Sequence, residues 1–472
     1  MRIRAMGVAL LLLCWAGVSV RGDQQPGSSG AADERARARD LLREFVEINT
    51  TPANGSTRAA EAAAAQLRSA GFPAADLFVG GPRPEKHNLV ARLRGRTAAK
   101  PILLIAHLDV VDAPREGWSP GLDPFRLTER DGFLYGRGVL DDKAAVAGLV
   151  ANLVRLKIEG FVPRCDIIIA LTADEEGGNS NGISWLLAKS RELIDAAFCL
   201  NLDAGGGQME NGRRARMTIQ TSQKANLSFR AETRSPGGHS SMPVRDNALY
   251  RLSAGLSRLA DHDLPFRFNE TTRTYFERSA AALTGSIADD MRAVAKDPPD
   301  LDAAKRLAAA SPYYNSILRT TCVATRMAAG HADNALPQSA SAIINCRLFP
   351  GDTLDFVRGA LAEILGDPQI SLTAMGSGQA GPASLLLPEV MVPVERISAE
   401  MWPGVPVLPV MDPWAGDSLQ MRRAGFPTFG VSGVFSDDLD NPHGANERLA
   451  ADSFYESVEF LYRLIKAMTG DA

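Results

Sequence analysis

ILLIAHLD, residues 102–109, is the first of three stretches that decide the fold; the others are IIIALTADEE (167–176) and AFCLNLDAGG (197–206). Each stretch begins as a nearly continuous apolar run and ends in polar side chains. Such runs are typical of strands that are buried on both faces of a parallel sheet. Helix-forming sequence lies between the runs. The pattern predicts an α/β fold, with a mostly parallel sheet and helices on both of its faces.

The alternation of strands and helices changes near residue 216. MTIQTSQKANLSFRAET (217–233) is one long segment of alternating polar and apolar residues, and a polar, helix-prone insertion follows over 267–310. Apolar, strand-like runs return after residue 374. We therefore predict an inserted α+β unit over 216–374, between the two parts of the first domain, 23–215 and 375–472.

The overall composition excludes several classes of protein. The chain has 472 residues, of which 45% are hydrophobic and 22% charged, as in ordinary globular proteins. Its formal charge is −4 and no basic run stands out, so we expect neither a nucleic-acid partner nor a polybasic membrane contact. After the first 22 residues, no apolar segment has the length that a membrane span needs.

Residues 1–22 differ in character from the rest of the chain. Two arginines precede an apolar run, and Val20-Arg21-Gly22 offers small residues at a cleavage position, which is the pattern of a secretory signal peptide. The alternative is an N-terminal core helix. We predict export to the periplasm or the exterior, with cleavage near Gly22. An oxidising compartment would permit a disulfide between Cys322 and Cys346, although the sequence does not establish that pairing.

Histidine and acidic residues stand at the ends of the three apolar strands. His107 and Asp109 end the first, Glu175 and Glu176 follow the second, and Asp203 follows the third. Ligands bind outside the carboxyl ends of the strands in an open parallel sheet. A single carboxylate at such a place is more often a helix cap or a turn residue, but three strand ends of this kind point to one shared site.

Two further segments complete a candidate metal site. GRGVLDDK (136–143) contains Asp141, and NPHGANE (441–447) contains His443. Imidazole and carboxylate ligands without thiolates suit Zn²⁺, Co²⁺ or Mn²⁺, and they suit a pair of ions bridged by one carboxylate. Phosphate-loop and nucleophile-elbow chemistry is not expected, because GxxxxGK[ST] does not occur and Gly430-Val431-Ser432-Gly433 lacks the spacing of GxSxG.

Five motifs in this order resemble one enzyme family: HLDVV (107–111), GRGVLDDKAA (136–145), TADEEGG (172–178), NLDAGG (201–206) and PHGANE (442–447). They are similar to the dizinc metallopeptidase family of aminoacylases, glutamate carboxypeptidases and succinyl-diaminopimelate desuccinylases. SPGGHSSMP (235–243) and residues 330–351 look closest to its branch of carboxypeptidase S and the N-fatty-acyl-amino-acid hydrolases. The resemblance implies a zinc-exopeptidase type of fold with an inserted lid or dimerisation domain.

The resemblance also implies a role for each motif residue. The resemblance implies that His107 binds one metal ion and His443 the other, with Asp141 as the bridge. Glu176 and Asp203 complete the two sites as terminal carboxylates. Glu175 is the implied general base, Asp109 orients His107, and a cis peptide joins Asp141 to Asp142. Two metal ions per subunit are implied, with Zn²⁺ expected and Co²⁺ or Mn²⁺ as alternatives.

The inserted domain is expected to supply three more functional residues. By resemblance, His239 donates a hydrogen bond to the oxyanion, and Arg347 and Asn334 hold the carboxylate and main chain of the substrate. An arginine suits a carboxylate because its planar fork donates two parallel hydrogen bonds. The alternatives are a histidine in a surface turn and an arginine in a structural ion pair.

Together these features predict an exported dizinc hydrolase. It would cleave peptide or N-acyl amino-acid bonds next to a residue with a free carboxylate, and it would form a homodimer through the lid domain. An aminopeptidase or dipeptidase on the same core is the alternative within the same chemistry. A non-catalytic binding module is the alternative from another class, and it would be marked by a missing ligand or base.

Overall fold

The computed structural model describes residues 28–177 and 179–470, so the expected signal peptide (1–22) lies outside the described residues. The α-helices of this part of the chain are α1 (Ser28–Glu47), α2 (Thr57–Ser69), α3 (Lys143–Ile158), α4 (Gly182–Lys189), α5 (Ala248–Asp261), α6 (Glu270–Ala281), α7 (Ser286–Ala295), α8 (Leu301–Ala310), α9 (Pro312–Leu318), α10 (Leu354–Leu365), α11 (Pro388–Met401), α12 (Asp417–Arg423) and α13 (Ala451–Thr469). The strands are β1 (Leu77–Arg83), β2 (Lys86–Leu93), β3 (Ile102–His107), β4 (Thr128–Arg130), β5 (Phe133–Tyr135), β6 (Ile167–Thr172), β7 (Phe198–Asn201), β8 (Gly206–Glu210), β9 (Arg213–Gln223), β10 (Ala225–Arg234), β11 (Gly238–His239), β12 (Thr321–Ala329), β13 (Ala335–Leu336), β14 (Ser339–Leu348), β15 (Ser371–Met375), β16 (Val407–Asp412), β17 (Thr428–Gly430), β18 (Phe435–Ser436) and β19 (Arg448–Ala450).

A large sheet forms the centre of the molecule. Its strand order is β1-β2-β6-β3-β7-β17-β9-β8-β18, and β16 pairs with β9 outside this path. The central strands β6, β3, β7 and β17 run parallel, whereas β1 and β2 add an antiparallel edge. The predicted mostly parallel sheet is confirmed.

Helices cover both faces of the large sheet. Along β3, Leu104 and Ala106 belong to the same apolar cluster as α1, α2, α3 and α13. Leu103 and Ile105 point to the opposite face, where they join a cluster that includes residues of α4 and α12. Every residue of β3 is therefore buried, which explains why this strand is apolar without a polar alternate position.

A second, antiparallel sheet has the order β12-β14-β10-β15. Its buried face forms an apolar cluster with residues of α5 and α10, among them Leu252 and Leu361. Pairing with β16 and β8 places β9 in the large sheet, and β10 begins at Ala225 in the small sheet. The expected domain boundary at 216 thus falls inside β9, and the change of sheet occurs at Lys224. The sequence hides this change because neither glycine nor proline occurs over 217–234 to mark a turn.

The helix-prone insertion forms the four helices α6, α7, α8 and α9. Aromatic residues of these helices, such as Tyr275 and Phe276, pack in one cluster with Leu408 and Val410 of β16. The insertion therefore covers the strand at this side of the large sheet.

Cys322 and Cys346 form a disulfide between β12 and β14, where they are direct cross-strand partners. Cys165 and Cys199 are buried free thiols. Among the described residues, none of the helices combines the length and apolar character that crossing a membrane requires.

Candidate metal centre

The register of the large sheet brings the candidate ligands to one edge. His107 ends β3 opposite Thr172, the last residue of β6, and Ile105 pairs with Asn201, the last residue of β7. The segments that follow β6 and β7 carry the predicted glutamates and Asp203, so they begin beside His107. The candidate ligands therefore lie outside the carboxyl ends of parallel strands, where open parallel sheets bind their ligands.

Asp141 lies between two imidazoles. Its Oδ1 is 2.9 Å from His107 Nε2, and its Oδ2 is 2.9 Å from His443 Nε2. Asp203 Oδ1 lies 3.6 Å from His107 Nε2, and Glu176 Oε1 lies 2.8 Å from His443 Nε2. Each imidazole therefore faces one oxygen of Asp141 and one further carboxylate, which is the symmetric donor set that a pair of divalent ions requires.

Donor atoms of these residues are close enough to share an ion. The ligand atoms of His107, Asp141 and Glu176 all lie within 4.8 Å of one another, and so do those of His107, Glu175 and Asp203. All are hard oxygen or imidazole donors, which fit Zn²⁺, Co²⁺ or Mn²⁺.

Electrostatic interactions within the cluster strongly shift the pKa values of its side chains. Hydrogen bonds to Asp141 and Glu176 raise the pKa of His443 to about 10. Burial opposes the charged form of His107, but the bonds to Asp141 and Asp203 outweigh it and raise its pKa. Burial likewise opposes ionisation of Asp141, and the two imidazoles nevertheless lower its pKa. Divalent cations would compete with protons for these same atoms.

Glu175 lies beside this cluster in a protected position. Burial, followed by the charges of Asp203 and Asp417, raises the pKa of Glu175 to about 9. Gly416 borders its carboxylate, since a Cβ at that glycine would lie 2.9 Å from Glu175 Oε1. Gly416 and Asp417 were not predicted from the sequence, because they belong to a distant segment with no ligand motif of its own.

Asp109 organises the turn that carries the two glutamates. Its Oδ1 accepts the amide N–H of Glu175 at 3.0 Å, and its Oδ2 accepts that of Glu176 at 3.1 Å. His107 Nδ1 lies 3.0 Å from the main-chain carbonyl of Asp109, whereas the Asp109 carboxylate is 3.7 Å away. His107 therefore contacts the main-chain carbonyl of Asp109, as expected of this pair only in part. The carboxylate of Asp109 instead accepts the amides of Glu175 and Glu176.

The turn after β6 has a second support that the sequence did not reveal. Asp174 adopts a left-handed φ of +53°, and its carboxylate forms a buried ion pair with Lys86. Lys86 begins β2, far from the turn in sequence, so only the sheet pairing brings the two together.

The implied cis peptide between Asp141 and Asp142 is present. Asp142 itself does not face the imidazoles of the cluster; its Oδ2 accepts the main-chain N–H of His107 at 3.2 Å. The two neighbouring aspartates therefore make different contacts, one with the ring of His107 and one with its backbone.

The predicted lid residues lie apart from this cluster. His239 is exposed and pairs in β11 with Ala335 of β13, and its Nδ1 lies 2.7 Å from Ser241 Oγ. The carbonyl of Asn334 accepts the N–H of Ser240 at 3.0 Å. His239 and Asn334 are thus brought to one small ribbon, and within the described residues neither side chain hydrogen-bonds to the candidate metal ligands.

Arg347 lies elsewhere on the lid, in the middle of the small sheet. It pairs with Asn226 of β10 and Thr321 of β12. Its side chain is partly buried, and this burial lowers the pKa of its guanidinium. None of the described residues forms an ion pair or hydrogen bond with that guanidinium, so the structural ion pair considered from the sequence is not observed in this part of the chain.

Comparison with known proteins assigns the family. Residues 103–467 match the family described as Peptidase family M20/M25/M40. The chain belongs to this family. It is 30% identical to the N-fatty-acyl-amino acid synthase/hydrolase PM20D1 of Xenopus tropicalis over 376 residues, which cover 78% of this chain and 72% of the relative.

Solved structures of the M20 family share the fold. An M20 family metallo-carboxypeptidase from Sulfolobus solfataricus superimposes with a TM-score of 0.67 at 17% identity, over 91% of this chain and 99% of that one. A dinuclear metal-binding M20 peptidase from Bacillus subtilis gives a TM-score of 0.59 at 11% identity, over 92% and 98%. The predicted zinc-exopeptidase type of fold is confirmed, and so is the assignment to metal-dependent peptidases or amidohydrolases.

Proposed function

We propose that this M20 family member hydrolyses the amide bond of N-acyl amino acids or peptides next to a residue with a free carboxylate. The observation that carries the proposal is the position of Asp141, whose two carboxylate oxygens each face one imidazole. The names of two similar proteins, an N-fatty-acyl-amino acid synthase/hydrolase and a metallo-carboxypeptidase, support this class of substrate.

The donor set supports two metal sites that share Asp141. His107 and Asp203 would hold one ion, and His443 and Glu176 the other. Zn²⁺ is the ion we propose, since borderline metals favour mixed imidazole and carboxylate ligands. When bound, such a pair lowers the pKa of a water molecule and polarises the carbonyl of the substrate.

Glu175 is the proposed general base. Its carboxylate is held at the edge of the cluster, and the amide of its own backbone is fixed by Asp109 at 3.0 Å. With two cations bound beside it, this carboxyl group would be ionised despite the raised pKa that it has without metal. It would then accept a proton from the attacking water and return it to the leaving amine. Glu175 is largely shielded from solvent, which limits loss of that proton to bulk water.

The lid would complete the recognition of the substrate. Arg347 is proposed to bind the substrate carboxylate, because its partly buried guanidinium has no partner among the described residues. His239 is proposed to donate to the oxyanion, and Asn334 to hold the substrate main chain. Closure of the lid, or a second subunit, would bring His239 to the metal centre.

The edge of the small sheet supports a homodimer through the lid. Strand β12 lies at this edge, and it exposes Val323 (60%) and Met327 (49%). An exposed apolar edge strand is a template for pairing with another strand. If a second copy covers it, the double variant Val323→Lys/Met327→Lys should halve the mass measured by light scattering; an unchanged mass would contradict this interface.

The remaining proposal concerns the cellular compartment. The disulfide between Cys322 and Cys346 supports an oxidising environment, in agreement with the signal peptide expected over residues 1–22. Mass spectrometry of the protein secreted or released from its native host should show an N-terminus near residue 23; an intact N-terminus would contradict cleavage.

A panel of substrates tests the proposed activity. Purified, metal-loaded protein would be assayed on N-acyl amino acids and on dipeptides with free or blocked termini, with Glu175→Gln as the inactive control. We expect hydrolysis of substrates with a blocked amino terminus and loss of hydrolysis when the carboxyl terminus is amidated. Cleavage that requires a free amino terminus would instead identify an aminopeptidase or dipeptidase.

A further inference from the structure

A buried ion pair lies next to the candidate metal ligands without being one of them. Arg137 Nη1 lies 2.6 Å from Glu447 Oε2, and the two side chains are 3% and 0% exposed. The partners are 310 residues apart in the chain; one belongs to the segment of Asp141 and the other to the segment of His443. Burying two charges costs free energy that is offset only by close pairing and additional hydrogen bonds. The other hydrogen bonds of Arg137 and Glu447 therefore show which parts of the backbone the ion pair holds in place.

Glu447 holds the backbone that leads to Asp141. Its Oε2 accepts the N–H of Gly138 at 2.9 Å. Its Oε1 accepts the N–H groups of Leu140 at 2.9 Å and of Asp141 at 3.2 Å. One carboxylate thus fixes three amides of the segment 138–141, including the amide of the proposed bridging ligand.

Arg137 holds the backbone of the other ligand. Its Nη2 donates to the carbonyls of His443 and Gly444, each at 3.0 Å. His443 has a left-handed φ of +64°, an uncommon conformation for a non-glycine residue. Its side chain is 53% exposed, so packing around the ring restrains it little. The main-chain contact with Arg137 is consequently an important restraint on where that imidazole points.

We propose that Arg137 and Glu447 are positioning residues that hold Asp141 and His443 at the separation needed to bind the metal ion of the His443 site. This inference rests on the proposed metal assignment. His107 has a different set of restraints, namely its place in β3 and its contact with Asp109. Weakening the pair should therefore affect the ion at His443 much more than the ion at His107.

Two conservative variants separate positioning from simple folding. Arg137→Lys keeps the charge beside Glu447, but a single ammonium cannot replace the planar fork that also reaches the carbonyls of His443 and Gly444. Glu447→Gln keeps one oxygen for the amides and loses the ion pair. If a single variant fails to fold, the double variant Arg137→Met/Glu447→Gln leaves no unpaired buried charge and addresses the same question.

Arg92→Lys is the matched control. Arg92 also pairs with a carboxylate, Asp166, at 2.8 Å and donates to a carbonyl, that of Leu193, at 3.4 Å. It lies on β2 opposite Ile168, near the start of β6 and therefore at the end of the sheet away from the ligands.

The test is a titration of the chelator-stripped protein with Co²⁺, followed by visible absorption and calorimetry, with thermal unfolding recorded for each variant. The binding step that disappears in His443→Ala is the step that belongs to the His443 site. We expect Arg137→Lys and Glu447→Gln to weaken this step by about 10–100-fold, as is usual for residues that orient metal ligands. The His107 step should weaken much less, because Asp141 is shared by both sites but the pair does not hold His107 or Asp203. Arg92→Lys should bind both ions like the wild type.

Two results would overturn the proposal: an unchanged His443 step in the variants, or equal weakening of both steps. Failure of the proposed function would look different. In that case the wild-type protein itself would not bind two ions, or His107→Ala and His443→Ala would leave binding intact.

Discussion

Glu175 and Glu176 are adjacent in the chain but lie in different surroundings. Glu176 Oε1 contacts the ring of His443 at 2.8 Å, whereas the carboxylate of Glu175 lies against Gly416. Asp109 accepts both of their amides and so fixes the turn that separates the two side chains. The sequence alone could not tell base from ligand here, because only the conformation of the turn distinguishes them.

The first prediction separates the two glutamates. Glu175→Gln should lower kcat by about 10²–10⁴-fold with metal content retained, because the amide keeps the shape but accepts no proton. Glu176→Gln should instead lower the metal content measured by elemental analysis. The opposite pair of phenotypes would mean that base and ligand have been exchanged.

Gly416 provides a test of the position of the base. In Gly416→Ala, the added methyl would lie 2.9 Å from Glu175 Oε1, so the carboxylate has to move. Because small displacements of catalytic groups are costly, kcat should fall by about 10–100-fold, with both metal ions still bound. Gly359→Ala is the control, since a Cβ there meets nothing within 4 Å. Wild-type kcat in Gly416→Ala would show that the position of Glu175 does not matter.

Metal binding should depend on pH with a definite sign. The pKa of His443 is raised to about 10 by its hydrogen bonds to Asp141 and Glu176, and that of His107 is raised as well. These shifts favour the protonated imidazoles in chelator-stripped protein, and each imidazole must lose its proton to bind a cation. Zn²⁺ affinity should therefore rise as pH increases from 6 to 8, and protons should be released on binding. Calorimetry in buffers of different ionisation enthalpy measures the release; no proton release would contradict the ligand assignment.

Among the secondary-structure elements, strand ends explain why the candidate site residues were predictable. His107, Asp203 and the two glutamates follow strands whose apolar runs are unmistakable, and the parallel register carries them to one edge. Lys86 and Gly416 were not predictable in this way, since each reaches the site from a distant segment through tertiary packing. The passage from β9 to β10 at Lys224 was also hidden, because no glycine or proline marks a turn between these strands of different sheets.

Arg347, in the small sheet, is the residue that we expect to bind the substrate carboxylate. If Arg347 binds it in the ground state, Arg347→Ala should mainly raise KM, whereas His239→Ala should lower kcat and kcat/KM together by about 10²–10³-fold. Amidating the carboxyl terminus of the substrate should then reduce kcat/KM of the wild type far more than that of Arg347→Ala. Equal reductions of kcat/KM in both proteins would show that Arg347 does not bind the substrate carboxylate.

Across the whole molecule, distant parts of the chain meet at the candidate metal centre. Asp141 and His443 are 302 residues apart, and the small sheet with its helices is inserted between them. The apolar, strand-like runs after residue 374 were enough to predict that the C-terminal segment returns to the large sheet, where β16, β17 and β18 lie. The places where the helical insertion and the lid pack were not predictable, since they depend on which apolar faces meet in three dimensions.

Anomalous X-ray scattering from crystals grown with Zn²⁺ would locate each bound ion. We expect two peaks per protomer on opposite sides of the Asp141 carboxylate, one bound by His107 and Asp203 and the other by His443 and Glu176. A single peak, or two peaks that do not share Asp141, would contradict this assignment.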